Sequence, residues 1–238
     1  MAARYLIALG NGNWNSTTNW SDTSGGASGA SVPVNGDTVE FDSLSINANM
    51  VVNVASACTS IIVSGTYAGT LTFDATLTVA GTVTFIAGMT IAGTSDLICN
   101  TTSTLTSGGK TLTGGLQLKG TSQTYTLADA WDVSGTLTLS GISAITLNAQ
   151  SMAVGGGLSV VTSTTGTTAI TLDGTGTWSS SDNIANNLTI NTAGTITVSG
   201  TVRYRTGTFT YTAGTTVVTS STLNLTQSAT LNTSGMTW

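Results

Sequence analysis

Apolar residues and threonines alternate along most of this chain, and glycines punctuate the alternation. The phrase reads GTLTF from Gly69, GTVTF from Gly81, GTLTL from Gly135, GTITV from Gly194 and GTFTY from Gly207. Looser copies fill the gaps: KTLTGGLQL from Lys110, AITL from Ala144 and again from Ala169, NLTI from Asn187 and TLNL from Thr222. A period of two places Leu71 and Phe73 on one face of a strand, with Thr70 and Thr72 on the other. The glycines mark corners, where the backbone turns or approaches a neighbour. A short strand that recurs between turns cannot bury its apolar face alone, so the copies must stack. The pattern predicts an all-β chain built as an irregular β-solenoid, with a stacked β-sandwich as the alternative. Its interior should hold Leu71, Phe73, Leu77, Val79, Val83, Phe85, Leu137, Leu139, Ile145, Leu147, Ile196 and Val198. No amphipathic helix is evident; residues 128–133 are the one short candidate and read better as a bulged corner.

The alternation starts after a different kind of segment. Residues 1–45 hold Trp14, Trp20, the single proline Pro33 and the stretch SDTSGGASGAS. They read as an attachment or capping arm, and residues 46–238 as the solenoid. About 190 residues at roughly 20 per turn give nine or ten turns, about 4.8 Å apart. The open ends of such a column are strand edges that must be covered. The tryptophan-rich segment is placed to close one end, and Trp238 the other.

Composition narrows the function. Of 238 residues only 6% are charged, there is no histidine, and about fifty are threonine. Net charge is −5, which argues against nucleic acid because phosphate binding needs clustered Lys and Arg. Arg203 and Arg205 are the one basic pair on a strand face, and a solvated face explains them. Mean hydropathy is +0.27, yet no apolar run reaches the roughly 18–20 residues of a membrane helix. A secretory signal is not expected, since the Tyr5–Leu9 stretch is too short. A surface this poor in lysine is weakly defended against association, which favours life inside an assembly.

Without histidine, Ser-His and Cys-His nucleophiles are excluded, and so are the usual zinc sites. SGGKT at Ser107–Thr111 is not a phosphate loop, because Thr104 stands where that motif needs glycine and no helix follows. LDGTG from Leu172 lacks the glycine-aspartate periodicity of Ca²⁺-binding β-rolls. Asp37, Glu40 and Asp42 form the densest acidic cluster; Glu40 and Asp42 share a strand face and read as a solvated strand edge. Asp129, Trp131 and Asp132 would suit a sugar ring if the indole were exposed, and Trp178 with Asp182 is a second such pairing. Thr70/Thr72, Thr76/Thr78 and Thr82/Thr84 recur every six residues, as in ice-binding arrays, but later pairs break the interval and strand propensity explains them. Cys58 and Cys99 read as two buried thiols. No metal or cofactor is expected, and the chain reads as non-enzymatic.

The N-terminal segment carries a resemblance. Trp14, then Asn19-Trp20-Ser21, a Gly/Ser/Ala stretch, Pro33, and Gly36-Asp37-Thr38-Val39-Glu40-Phe41-Asp42 resemble the opening of repetitive β-solenoid proteins of bacteriophage virions. A similar pattern occurs in autotransporter passenger repeats, which add a secretion signal and a membrane barrel. The phage resemblance implies a virion structural protein: a capsid decoration or cement protein, or alternatively a tail-fibre or other glycan- or receptor-binding module. It implies virion proteins, foremost the major capsid protein, as partners and a homotrimer as the assembly. A host surface glycan is the partner in the alternative. Trp14, Trp20 and Pro33 are then the candidate contacts with the particle, as aromatic side chains often anchor interfaces.

Overall fold

The computed structural model describes residues 2–7, 12–45, 48–146, 150–160, 164–180, 183–204, 207–218, 222–225 and 229–233. The chain winds as a β-solenoid of about eight turns. Each turn supplies one stretch of strand to each of three faces, as separate short strands in the first turns and as longer strands that run through a corner further on, such as Leu116–Leu127 and Asn183–Ser199; each face is a parallel ladder. The first face runs through Thr38–Phe41, Ser60–Val63, Val83–Thr84 and Ser103–Thr106. The second runs through Met50–Val52, Thr70–Phe73 and Thr90–Gly93, and further down through Trp131–Val133 and Met152–Val154. The third runs through Ser56–Cys58, Leu77–Val79 and Leu97–Cys99 into residues 116–118.

Register explains why the apolar pattern works. On the first face Val39, Ile61, Val83, Leu105 and Leu127 stack in one column, each twenty-two positions after the last. On the second, Trp131, Met152, Ile170, Leu188, Phe209 and Leu231 stack in another. A slip of one residue would turn a whole row outward, so the buried rows lock the register. Every described member of the expected interior is buried; Leu147 lies outside the described residues. Turn length is uneven, twenty-two residues down the first column and eighteen to twenty-two down the second, and the count of about eight falls below the nine or ten expected.

The third-face cysteines occupy alternate turns, with Val79 between Cys58 and Cys99 in the same column. Two turns are about 9.6 Å apart, beyond the reach of a disulfide. Both thiols are free and buried, and burial pushes each up to about 12, so neither is a nucleophile at neutral pH.

Glycine has one clear structural duty. At the corner leading into the third face, Gly114, Gly135 and Gly156 stack, with the Gly135 amide donating to the Gly114 carbonyl and Gly156 to Gly135, each at 3.1 Å. A Cβ on Gly135 would lie 2.6 Å from the carbonyl carbon and oxygen of Gly114. The backbones meet too closely for any side chain.

The threonine pairs take a different place from an ice-binding array. Thr70 and Thr72 lie on the second face, Thr78 on the third and Thr84 on the first. The six-residue interval therefore walks around one turn and does not climb a face. Directly above and below Thr78 stand Ala57 and Ile98.

Candidate functional site

The N-terminal segment folds onto the end of the column. Ala3–Leu6 pairs parallel with Thr38–Phe41, extending the first face by one strand, and antiparallel with Trp20–Ser21. Gly12–Asn13 pairs parallel with Met50–Val52, extending the second face. Residues 30–36 precede the first-face strand, where later turns carry their third-face strand. Ala30 and Val32 pack against the core and Pro33 is buried. A proline has no N–H to offer, so this stretch is a poor template for a further strand.

Aromatic packing joins this cap to the column. The Trp14 and Trp20 rings meet edge-on with centroids 5.0 Å apart; Trp20 stacks on Phe41 at 6.3 Å, and Phe41 packs on Tyr67 at 5.3 Å. Trp20 Nε1 donates to the Trp14 carbonyl at 2.8 Å, and the Tyr67 hydroxyl to the Ala48 carbonyl at 2.6 Å. Trp14 and Trp20 are fully buried within their own chain. Of the two roles considered for them, capping is the one this arrangement performs, and neither indole has surface left for a partner.

Polar contacts hold the Gly/Ser stretch down. Arg4 bonds Asp22 and, through Nε and Nη2, the Ser31 hydroxyl at 3.1 and 2.7 Å. Asp37, buried, accepts from the Val34 amide at 3.2 Å and lies 3.8 Å from Arg4 Nε. Asp42 accepts from the Ser24 hydroxyl and from the amides of Leu44 and Ser45. Glu40 thus differs from the expected strand edge: its strand, Thr38–Phe41, is flanked on both sides, by Ala3–Leu6 and Ser60–Val63, and Asp42 follows the strand's end. Burial alone would raise Asp42, but the Ser24, Leu44 and Ser45 donors together outweigh it and hold the carboxyl below its usual range. A lowered carboxylate adds stability above its unfolded value of about 3.9, and that stability is lost as pH falls through the folded value. Acid titration of tryptophan fluorescence is expected to show the cap loosening below about pH 4. Asp42→Asn should flatten this response, and an unchanged response would remove Asp42 from the account.

Along the second face the structure gathers a second group. A depression of about 360 Å³ is lined by Lys110, Thr111, Trp131, Asp132, Ser151, Ala153 and Asp173 among others. Thr111, Asp132, Ala153 and Thr171 form one outward column. Ala153 is the short member, so a hollow opens beside Asp132, with Asp173 just beyond Thr171. The Thr111 hydroxyl donates to Asp132 at 2.6 Å. Asp173 is raised, first by burial and then by the charge of Asp132. A raised carboxyl contributes stability that is lost as pH rises through its folded value, the reverse of Asp42. Asp173→Asn is therefore expected to leave the neutral-pH melting temperature unchanged or slightly higher; a clear fall would contradict this.

Trp131 lines this depression with almost no exposed surface. Its ring packs 6.2 Å from Phe85 and its Nε1 faces the Leu105 carbonyl at 3.4 Å. It is a core anchor, so the stacking platform expected for a sugar is missing at this position. Asp129 turns the other way and accepts from the Ser107 and Gly108 amides at 2.7 and 2.8 Å. Those are the amides a phosphate loop would aim at its ligand; here a carboxylate from the next turn takes them. Trp178 is likewise buried, and its Nε1 has no hydrogen-bond partner among the described residues. Asp182, Arg205 and Trp238 lie outside the described residues. Lys110 and Asp173 join Asp132 only through stacking, and no local motif marks them. Among the described residues no cluster of three His, Cys, Asp or Glu could hold a metal, and no helix is long and apolar enough to cross a membrane.

No family model matches this sequence, and neither a curated protein nor a solved structure matches it.

Proposed function

We propose that this chain is a non-enzymatic structural protein of a phage virion, a capsid decoration protein whose β-solenoid stands on the particle surface. The reading rests on the resemblance of residues 12–42 to phage solenoid proteins. One observation carries it further: the cap and first turn expose Val34, Leu44 and Val54 at 59%, 54% and 41%. Large aliphatic side chains at one end of a charge-poor column suit a docking surface. On this reading Trp14, Trp20 and Pro33 act indirectly, by holding the surface that bears Val34 and Leu44. Purified protein should co-sediment with tailless capsids, and Leu44→Asp should remove that binding while leaving the circular dichroism spectrum intact. Recovery with tails alone would favour a tail-fibre role, and Leu44→Asp binding at the wild-type level would sink the docking surface.

A second reading is a glycan-binding module, favoured by the depression at Lys110, Asp132 and Asp173. Carboxylates and hydroxyls of this kind accept and donate to sugar hydroxyls. A glycan array would test it; absence of signal, or a signal unchanged in Asp132→Asn, removes the support for this site.

A further inference from the structure

Asparagine followed by glycine occurs twice in the sequence, at Asn11-Gly12 and Asn35-Gly36. Such a pair carries its own chemistry, because the glycine nitrogen can attack the asparagine side-chain amide with no Cβ in the way. The fold treats the two glycine nitrogens differently. Gly12 is buried, and its amide donates to the Asn49 carbonyl at 2.9 Å where the cap strand pairs with Met50–Val52. That nitrogen reacts only if the strand leaves the ladder. Asn35 is exposed and lies outside any strand. With Gly36 it forms the centre of a β-turn, closed by the Asp37 amide donating to the Val34 carbonyl at 3.0 Å. The Gly36 amide donates to the Thr59 hydroxyl at 3.0 Å, a side chain that can turn away.

The turn also has room to react. Ring closure needs the Asn35–Gly36 peptide to bring the glycine nitrogen onto Cγ of Asn35. Gly36 has a φ of +110°, and no atom lies within 4 Å of where its Cβ would stand. Glycine accepts either sign of φ, so this peptide can rotate without a clash.

We propose that Asn35 is a site of spontaneous covalent modification, converting to aspartate and isoaspartate in the folded protein. The Gly36 nitrogen loses its proton to hydroxide and bonds to Cγ of Asn35; the side-chain nitrogen takes up a proton from water and leaves as ammonia. Water then opens the five-membered imide at either carbonyl, giving aspartate or isoaspartate. No oxidant or reductant enters. Both products put a new carboxylate beside the exposed Val34. In isoaspartate the main chain is also one carbon longer, and the extra carbon falls between Val34 and Asp37. Asp37 accepts from the amides of Val34 and Ala2 at 3.2 and 3.3 Å and lies 3.8 Å from Arg4 Nε. Lengthening this turn therefore pulls on the carboxylate that ties down the start of Ala3–Leu6. The chemistry does not depend on the capsid reading; only its effect on docking through Val34 does.

Incubation of the 238-residue chain in mildly alkaline buffer, followed by peptide mapping by mass spectrometry and enzymatic detection of isoaspartate, is the test. Asn35 should gain one mass unit, with isoaspartate present, several-fold faster than Asn11. In urea, where the ladder is gone, the two positions should react at similar rates. The isoaspartate fraction, separated by anion exchange, should melt at a lower temperature than Asn35→Asp, which has the charge without the longer backbone. Asn35 left intact, aspartate formed without isoaspartate, or Asn11 reacting as fast as Asn35 in the folded protein would each overturn the proposal. An isoaspartate fraction melting with Asn35→Asp would overturn the effect on the cap.

Discussion

Deleting residues 1–36 is expected to make the column aggregate. The deletion strips Ala3–Leu6 from Thr38–Phe41 and Gly12–Asn13 from Met50–Val52, leaving two parallel edges open. It also removes Trp20, with Trp14 packed on it, from Phe41, which is otherwise fully buried. An unpaired edge beside exposed aromatic surface is a template for association. The milder Trp20→Ala keeps the chain length and should cost about 3–5 kcal/mol, the usual range for a buried Trp or Phe cut to alanine. Light scattering and denaturant titration read the two effects. If the truncated chain stays folded, soluble and monomeric, residues 1–36 are an arm for a partner and not a cap.

The corner glycines predict the second large effect. Gly135→Val is expected to destabilise the column by about 3 kcal/mol, lowering the melting temperature by roughly 6–12 °C. Its Cβ meets backbone atoms of Gly114, which cannot rotate away as a side chain would. Gly109→Ala serves as the comparison: no atom lies near its would-be Cβ, although its φ of +71° carries a smaller strain. Equal melting temperatures for Gly135→Val and the wild type would mean that the turns separate at this corner.

Local alternation made the fold legible. Leu71, Phe73, Val83 and Ile196 are buried because a period of two has one meaning wherever a single face meets a core. The arrangement between turns was less legible. Nothing in GTLTF and GTVTF says that they belong to different faces, since that depends on where each corner falls. The same ignorance hid the site around Asp132: Lys110 and Asp173 are far from it in sequence and reach it only through the register of Thr111 on Asp132 and of Ala153 on Thr171. Trp131 shows the limit most plainly. A tryptophan between two aspartates looks like a sugar platform, yet its place in the strand points the indole inward while Asp129 and Asp132 stay at the surface. Trp14 and Trp20 were legible as anchors, and the sequence left open whether they anchor the chain to itself or to a partner.

The central functional claim is that the column stands on a phage capsid by its capped end. Imaging virions that carry a label on the Ser107–Lys110 turn, part-way down the column, tests it most directly. The account predicts density projecting from the capsid shell, with the label held away from the shell and the cap against it. Label confined to the tail, or columns lying with the turn against the shell, would contradict it.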